Sequence, residues 1–352
     1  MLQRAIDQDQ LNAFLSRWMT DQAATLHAAT VVIGDKLGLY RALAEGGRQT
    51  APGLAAATGL NPRLVREWLN AQVASGYCAF DPEAATYWLT PEQAACLAEP
   101  DSPTFVAGGA LVSNASHYDT DRVVQAFRDD GGIGWHEHHQ HLFEGTQRFF
   151  EPIYRRHLVK DWIPALDGME ARLRRGARVA DIGCGQGASL ILMARTFPAS
   201  RFTGFDYHVD SIKAAQRNAE KAQVADRVSF QVTGAQDFEG EDFDLICVFN
   251  ALHEWGDAVG AASRIREALA PDGLWMFTEP LADPYPQESV RGRTFFSVST
   301  CVCTPSALSQ DGHESLGAQA GEAELRRVAH AAGFTRFRRA AETPMFMVLE
   351  AS

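Results

Sequence analysis

The sequence lacks the features of membrane and secreted proteins. In its 352 residues no apolar run approaches the ~20 residues that a membrane helix needs. The N-terminus also has no apolar core of the kind found in signal peptides. The six cysteines form no C-x-x-C pair and show no disulfide spacing. These absences predict a reduced, cytoplasmic protein rather than a membrane-bound, secreted or disulfide-stabilised one.

Positive charge is also scarce, with 32 lysines and arginines against 44 aspartates and glutamates and a formal net charge of −12. Non-specific nucleic-acid binding relies on lysine and arginine contacts with phosphates, and anionic lipids attract the same residues. The charge balance therefore argues against nucleic acid and membrane surfaces as partners. The length suffices for two domains, and a hydrophobic content of 46% is ordinary for a packed core.

The glycine patterns that bind phosphate groups are missing as well. Gly183, Gly185 and Gly187 stand at alternate positions, after an apolar run and before a helical pattern. This G-x-G-x-G spacing differs from the G-x-G-x-x-G of dinucleotide enzymes and from the P-loop. Asp181, just before the glycines, would repel a pyrophosphate and suits a ligand with a cationic end. The stretch predicts a strand, a tight turn and a helix, with a backbone that a ligand can approach closely.

An acidic residue follows the next apolar run. The run Arg201–Phe205 predicts a second strand, and Asp206 stands at its end. An acid at this place can accept hydrogen bonds from both hydroxyls of a ribose. Together with the glycine turn, it predicts a nucleoside-binding crevice in an α/β fold.

At these positions the chain resembles the S-adenosylmethionine-dependent methyltransferases. The resemblance rests on Asp181–Gly187, on Asp206 as the ribose acid, and on Gly234–Asp237 after the third predicted strand. It implies S-adenosylmethionine as cofactor and S-adenosylhomocysteine as product. Of the residues implied around it, Tyr207 and Gly234–Asp237 would face the adenine, and Asn250 the methionine end. The implied cofactor residues are Asp181, Gly183, Gly185, Gly187, Asp206, Tyr207, Gln236, Asp237 and Asn250.

Apolar runs and helical patterns alternate regularly from residue 176. Strands are predicted at 178–182, 201–205, 228–233, 243–249, 274–278, 334–340 and 345–350. Such alternation implies a parallel sheet with helices on both faces. Only a short link that contains Glu342–Pro344 separates the last two runs, which favours an antiparallel hairpin at the sheet edge. The predicted fold class is α/β, with a Rossmann-like seven-stranded methyltransferase sheet that ends in an antiparallel hairpin.

A winged-helix pattern lies in the N-terminal part. Residues 50–75 predict a short helix, a glycine-containing turn and a second helix that starts with proline, and a hairpin follows over 77–89. The second helix carries Arg63 and Arg66, as a DNA-reading helix would, but also Glu67 and many apolar positions. Winged helices fused to methyltransferases commonly form dimers. The resemblance therefore implies an α-rich dimerisation domain and a homodimer.

The chain thus divides into three predicted parts. These are a winged-helix dimerisation domain at 1–100, a helical linker or lid at 101–175 and an S-adenosylmethionine-binding domain at 176–352. The four histidines within His136–His141 lack the cysteine, or the H-x-x-x-H pair with a carboxylate, that would indicate a metal site, and we predict no metal. Aromatic faces suit a sulfonium cation. The predicted substrate contacts are Trp135, His139, Phe150 and Tyr154.

The loop after the fourth predicted strand holds the candidate base, since functional loops lie at the carboxyl ends of such strands. Its Leu252-His-Glu-Trp255 is similar to the Leu-His-Asp-Trp motif of small-molecule O-methyltransferases, which also carry winged-helix dimerisation domains. The similarity implies His253 as the catalytic base and Glu279 as the acid that orients it. Two features depart from the family: residue 254 is glutamate, and the second flanking acid has no clear match near Gln319 or Glu322.

The sequence therefore predicts methyl transfer to a small molecule, with a hydroxyl preferred as acceptor. Two other functions remain open at this stage. Transfer to carbon or nitrogen in the same fold would make a base less essential. A regulator that senses S-adenosylmethionine and binds DNA through the winged helix would need a basic stripe, which the acidic balance argues against.

Overall fold

The computed structural model describes residues 6–129, 131–312 and 314–352. Their contacts divide the chain into two units. The first unit holds the residues up to Asn114 together with Glu144–Pro152, and the second holds Ala115–Phe143 and Ile153–Ser352. The predicted linker 101–175 contributes residues to both units. The three-part division with boundaries at 100 and 175 remains a prediction.

The first unit is mostly helical. Its elements are α1 (Gln8–Lys36), α2 (Leu39–Gly46), α3 (Ala51–Thr58), α4 (Pro62–Ala74), β1 (Ala79–Asp81), β2 (Thr86–Trp88), α5 (Pro91–Leu97) and the first part of α6 (Ala110–Tyr118). Helix α3 ends at Thr58 and is followed by Gly59, whose φ of +67° is the left-handed conformation common after a helix. Helix α4 begins where Asn61 accepts the N–H groups of Arg63 and Leu64.

These elements form the predicted winged helix. The strands β1 and β2 pair in antiparallel fashion, with Ala79 opposite Trp88. The helices α2, α3 and α4 place Leu43, Leu54 and Leu69 in a common core, where each is 0% exposed. Helix, glycine turn, proline-started helix and hairpin therefore occur in the expected order, and the α-rich winged-helix prediction is confirmed.

The second unit alternates strands and helices. Its helices include α7 (Thr120–Asp129), α9 (Met169–Arg175), α10 (Ala188–Thr196), α11 (Val209–Lys221), α12 (Ala258–Ala268), α13 (Val290–Val298), α14 (Thr304–Leu308) and α15 (Gly321–Ala331). Helix α8 (Gln140–Ile153) contributes residues to both units. The strands are β3 (Arg178–Ile182), β4 (Arg201–Asp206), β5 (Val228–Val232), β6 (Phe243–Phe249), β7 (Leu269–Pro280), β8 (Phe337–Glu342) and β9 (Phe346–Ala351).

The strand order of this sheet is β5-β4-β3-β6-β7-β9-β8. Strands β3 to β7 run parallel, and β9 pairs in antiparallel fashion with both β7 and β8. The prediction of seven strands with a terminal antiparallel hairpin is confirmed. The chain passes outward from β3 on one side and resumes at β6 on the other, which creates a crevice at their carboxyl ends.

The strand β7 differs from its predicted extent. It begins at Leu269, before the predicted run, so Pro271–Gly273 lie within the strand rather than in a turn. Its pairing with β6 is irregular between Phe243 and Leu245. A bulge at this end accommodates a proline in the strand, which local sequence does not reveal.

The core of the second unit lies between the sheet and its covering helices. Trp275 and Phe277 of β7 stack with ring centroids 4.1 Å apart. Ile265 of α12 and Val328 of α15 pack into the same cluster. Within the described ranges, the structure contains no helix with the length and apolar character needed to span a membrane.

The winged-helix core contains a buried polar chain that can be tested. The Tyr40 hydroxyl donates to Gln72 Oε1 at 2.6 Å, and Gln72 Nε2 donates to Thr30 Oγ1 at 2.9 Å. Gln72 is 0% exposed. Tyr40→Phe should lower the free energy of unfolding by about 1–3 kcal/mol in urea denaturation, because it leaves a buried acceptor without a partner.

Tyr87→Phe is the matched control, because the Tyr87 hydroxyl donates at 3.0 Å to Asn70, which is exposed. Water can replace that hydroxyl, so the loss should be smaller than for Tyr40→Phe. Equal losses in the two variants would contradict a role for burial in this network.

Candidate active site

A turn of three glycines joins β3 to α10. Gly183, Gly185 and Gly187 have φ values of +76°, +52° and +81°, a region that side chains disfavour. A Cβ on Gly183 would lie 2.9 Å from the Cβ of Ala251, and one on Gly187 would lie 2.7 Å from Phe230. A Cβ on Gly185 would meet nothing within 4 Å. Two glycines therefore allow close packing, and the third leaves open space beside the backbone.

Hydrogen bonds fix this turn to the end of β4. Asp206 Oδ2 accepts the N–H of Gly185 at 2.8 Å, and its Oδ1 accepts the N–H of His208 at 2.8 Å. The Phe205 carbonyl accepts the N–H groups of Gly183 and Cys184 at 2.8 and 3.0 Å. Burial raises the pKa of Asp206, against the opposing effect of its two backbone hydrogen bonds. The carboxyl group is thus held beside Gly185.

Asp181 lies near the end of β3 and is 1% exposed. Its Oδ2 accepts the hydroxyl of Ser189, whereas its Oδ1 has no hydrogen-bond partner among the described residues. Burial raises the pKa of Asp181 to about 8, the Ser189 hydrogen bond opposes this, and the negative Asp206 adds to it. The site therefore favours either a proton on Asp181 or a positively charged neighbour.

Asn250, directly after β6, has a φ of +54°, which is uncommon for a residue other than glycine. Its backbone N–H and its side-chain amide donate to the carbonyl and the hydroxyl of Thr278, both at 2.9 Å. Its Oδ1 is buried and has no partner within the described residues. An oriented amide oxygen is therefore available to a ligand at this strand end.

His253 and Glu279 come together at the ends of β6 and β7. His253 lies on the 3-10 turn Leu252–Glu254, and its Nδ1 is 2.5 Å from Glu279 Oε2. The two side chains are 4% and 3% exposed. The same turn follows Ala251, which packs against Gly183. A carboxylate at Nδ1 holds the proton there, so neutral His253 presents its lone pair at Nε2.

The pKa of His253 is raised above its ordinary value of 6.5. Burial by itself lowers this pKa, but the negative charge and hydrogen bond of Glu279, together with the charge of Glu254, outweigh it. Burial also raises the pKa of Glu254, partly offset by His253 and by a hydrogen bond from the Cys303 thiol. The imidazole is thus more basic than a free histidine side chain.

The residues after β5 lie at the surface of the same sheet end. Gln236 and Asp237 are both exposed. Gln236 Nε2 donates at 2.8 Å to Asp257 Oδ2, whose other carboxylate oxygen caps α12. Their role at the adenine edge remains a prediction.

The histidine-rich segment approaches the end of β4. Tyr207 is 40% exposed, and the His136 ring meets it edge-on with centroids 6.0 Å apart. Phe143 packs against His208 with centroids 4.5 Å apart and against Trp135 at 5.7 Å. Trp135 therefore lies near the loop that follows the ribose acid candidate.

Two histidines of this segment have structural contacts. Asp119 Oδ2 is 3.0 Å from the buried His138 Nδ1 and accepts the His139 N–H at 2.9 Å. Burial lowers the pKa of His138, although Asp119 opposes it. His139 stacks on Tyr118 with centroids 4.1 Å apart. The role of His139 as a substrate contact remains a prediction.

The other two predicted substrate contacts belong to different units. Tyr154 is buried, and its ring lies 5.2 Å from that of Phe249, the last residue of β6. Phe150 belongs to the first unit, where its ring meets that of Phe149 edge-on at 5.1 Å. The substrate role of both residues remains a prediction.

The structure adds one residue that the sequence motifs do not indicate. Cys303 ends the π-helical turn Ser299–Cys303, and its thiol donates a hydrogen bond to Glu254. Among the described residues, His253, Glu254 and Cys303 bring ligand atoms within 4.8 Å of one another. Their separation in the sequence gave no spacing signal for this cluster.

Comparison with known proteins identifies two regions of the chain. A family model described as "Methyltransferase domain" matches residues 173–333. A second model, described as "Rv2258c-like winged HTH domain", matches residues 24–99. The first match covers strands β3 to β7 of the sheet, and the second covers helices α2 to α4 and the hairpin of the winged helix.

Among curated proteins, 27-O-demethylrifamycin SV methyltransferase of Amycolatopsis mediterranei is 33% identical over 116 residues, which cover 32% of this chain and 42% of that protein. The chain spans only 24% to 42% of the length of the first curated relatives that it matches. The identity is therefore confined to a part of each relative.

Solved structures match the chain over nearly its whole length. An O-methyltransferase family protein from Burkholderia thailandensis aligns with a TM-score of 0.70 and 15% identity, over 99% of this chain and 98% of that one. Human N-acetylserotonin methyltransferase, solved with SAM, aligns with a TM-score of 0.68 and 16% identity, over 100% and 99%. At such identities the likeness establishes the shared fold.

The prediction of a methyltransferase with an N-terminal winged-helix domain is thus confirmed for both regions. Residues 173–333 of this chain form a methyltransferase domain, and residues 24–99 form a winged helix–turn–helix domain that is similar to the Rv2258c-like one.

Proposed function

We propose that this protein transfers a methyl group from S-adenosylmethionine to a hydroxyl group of a small molecule, with His253 as the general base. The observation that carries the proposal is the buried pair of His253 and Glu279, with Nδ1 and Oε2 2.5 Å apart, on a turn that adjoins the glycine loop. A base at this place suits removal of a proton from a hydroxyl acceptor.

The residues around the glycine loop fit S-adenosylmethionine. Open space beside Gly185 lets a ligand approach the backbone, and the Asp206 carboxyl group next to it can accept ribose hydroxyls. Asp181 Oδ1 and Asn250 Oδ1 are buried acceptors without a partner in the described chain, and they suit the ammonium end. Tyr207, Gln236 and Asp237 are the proposed adenine contacts.

When bound, S-adenosylmethionine supplies an electrophilic methyl group. The Glu279 carboxylate holds the Nδ1 proton of His253, so Nε2 accepts the proton of the acceptor hydroxyl. Glu279 then stabilises the imidazolium that results. Such a base contributes roughly 10²–10⁴-fold in rate, and alignment of the two reactants supplies further acceleration.

The proposed substrate contacts are Trp135, His139, Phe150 and Tyr154. Trp135 and Tyr154 offer aromatic faces near the ends of β4 and β6, and such faces suit a sulfonium cation and a flat acceptor. The name of the Amycolatopsis relative, 27-O-demethylrifamycin SV methyltransferase, indicates that an oxygen atom is methylated. It supports a hydroxyl group as the methyl acceptor of this chain as well.

The winged-helix domain is proposed to mediate a homodimer rather than to bind DNA. Helix α1 exposes an apolar face, with Phe14, Trp18, Met19 and Leu26 between 49% and 70% exposed. Several large apolar side chains exposed on one helix support an interaction site there. The DNA-reading helix would be α4, where Arg63 is paired with Glu67 at the surface.

The two proposed roles can be separated by mutation. His253→Ala should lower kcat about 10²–10⁴-fold with nearly unchanged affinity for S-adenosylmethionine. Asp206→Ala should weaken that affinity at least about tenfold in calorimetry, since hydrogen bonds to charged groups contribute about 1.5–3 kcal/mol. Transfer of labelled methyl groups to a panel of phenols, carboxylic acids and amines first identifies an accepted compound.

Asp226→Ala is the control, because Asp226 is an exposed acid at the opposite end of β5. It should leave both affinity and turnover unchanged. Near-normal turnover of His253→Ala would instead indicate a carbon or nitrogen acceptor. An unchanged affinity of Asp206→Ala for S-adenosylmethionine would contradict the role of Asp206 in binding the ribose.

The pH dependence tests the role of Glu279. Because the pKa of His253 is raised above 6.5 and only its neutral form accepts a proton, kcat/KM should fall with decreasing pH from above pH 6.5. Glu279→Gln removes the neighbouring negative charge and should move this acid limb to lower pH by about one unit or more, with a lower maximal rate. Glu254→Gln should move it less, because the Glu254 carboxylate lies 3.9 Å from Nε2. An acid limb that stays in place in Glu279→Gln would exclude the pair as the titrating unit.

The proposed dimer is tested at Trp18, which is 49% exposed on α1. Trp18→Glu places like charges across a twofold interface and should shift the mass in light scattering from the dimer toward the 38.5 kDa monomer. Phe127→Glu is the control, since Phe127 is 76% exposed on α7. A monomeric wild-type protein, or an unchanged mass of Trp18→Glu, would contradict the interface.

A further inference from the structure

We propose that His253, Glu254 and Cys303 form a binding site for a zinc ion. One ligand atom from each side chain lies within 4.8 Å of the other two. His253 and Cys303 are buried, and the Glu254 side chain is 19% exposed. Two of the three ligands are therefore enclosed by the protein, and the third is partly accessible to solvent.

The donor set determines the kind of metal. Imidazole nitrogen, carboxylate oxygen and thiolate sulfur together suit zinc, which commonly takes three protein ligands and leaves a fourth position open. Magnesium and calcium prefer oxygen ligands alone. Among divalent metals the thiolate selects softer ions over magnesium, calcium and manganese.

Glu279 is not one of the three ligands, but its carboxylate orients the imidazole of His253. A histidine that binds a metal through one nitrogen usually donates the N–H of the other to a carboxylate. His253 Nδ1 already lies 2.5 Å from Glu279 Oε2, which directs Nε2 toward Glu254. The orientation that a metal would require of this imidazole thus exists before any ion binds.

The separation of the nitrogen and oxygen ligands requires only a small adjustment. Metal–ligand bonds of roughly 2.0–2.2 Å in tetrahedral geometry place nitrogen and oxygen ligands about 3.3–3.6 Å apart. The observed separation of His253 Nε2 and Glu254 Oε1 is 3.9 Å. Rotation of the partly exposed Glu254 side chain can close this difference, while the Cys303 thiol already contacts the Glu254 carboxylate.

The protons and charges balance on binding. The Cys303 thiol releases its proton to solvent as the sulfur–zinc bond forms, and its hydrogen bond to Glu254 is replaced by the shared ion. One thiolate and one carboxylate then neutralise the two positive charges of zinc, and His253 binds as the neutral imidazole.

Zinc at this site would occupy the lone pair of His253 Nε2. Because the proposed function assigns proton abstraction to that same atom, bound zinc should inhibit methyl transfer reversibly. This consequence rests on the proposed function, whereas binding of the ion depends only on the three ligands. Binding and inhibition are therefore measured separately.

Binding is measured on the full-length protein with cobalt(II) as spectroscopic probe and with zinc in calorimetry. The wild-type protein should show a thiolate-to-cobalt charge-transfer band at one equivalent, which zinc abolishes. Cys303→Ser should lose the band and weaken zinc binding at least about tenfold, and Glu279→Gln should weaken it about 10–100-fold. Cys301→Ser is the matched control, because Cys301 lies on the same π-helical turn outside the cluster, and it should retain both signals.

Absence of stoichiometric binding, or a charge-transfer band that persists in Cys303→Ser, would overturn the site. Near-ultraviolet circular dichroism identifies a misfolded variant, and Glu254→Gln then provides the second test, since it should weaken zinc binding without removing the band. If zinc binds without inhibiting methyl transfer to an accepted compound, that result would support the zinc site and contradict the role of His253 as general base. Inhibition of the wild type and of Cys301→Ser, reversed by a chelator and lost in Cys303→Ser, would support both.

Discussion

The hydrogen bonds between the glycine turn and the end of β4 are the constraint on which the site depends. The Phe205 carbonyl accepts two successive N–H groups of the turn, and the Asp206 carboxylate accepts the N–H of Gly185. The tips of two neighbouring parallel strands are thereby fixed to each other. Ala251, in the segment after β6, packs on Gly183. The turn that carries His253 is therefore positioned against the glycine loop. A side chain at position 183 would prevent this contact.

Buried acidic groups give the sheet end its electrostatic character. Burial raises the pKa of Asp181, Asp206 and Glu254, because a charged carboxylate is costly where water is excluded. Positive charge nearby relieves this cost. The sulfonium and ammonium groups of S-adenosylmethionine and the proposed zinc ion both supply it. Protonated His253 supplies it as well, and the carboxylates of Glu279 and Glu254 raise its pKa despite burial.

Local sequence was sufficient for much of the fold. The alternation of apolar runs predicted the strands and a parallel sheet, and the glycine spacing predicted the turn after β3. The pairing of His253 with Glu279 was predicted from the resemblance of a short motif. The structure places His253 Nδ1 2.5 Å from Glu279 Oε2. The contact of Cys303 with Glu254 was not predictable, because it depends on the π-helical turn Ser299–Cys303, which no residue pattern predicts. The early start of β7 was missed because a bulge accommodates a proline that usually ends a strand.

The sequence by itself determined the features that act over a few residues: the positive φ of the glycines, the cap of α4 by Asn61, and the apolar faces of strands and helices. The tertiary structure decided which distant side chains meet, such as Asp206 with Gly185 and Cys303 with Glu254. Backbone preferences reach only along the chain, whereas these contacts depend on how separate strands and turns pack around a common core. Because burial sets the charge state of Asp181, Glu254 and His253, the chemistry of the site was decided at that second level.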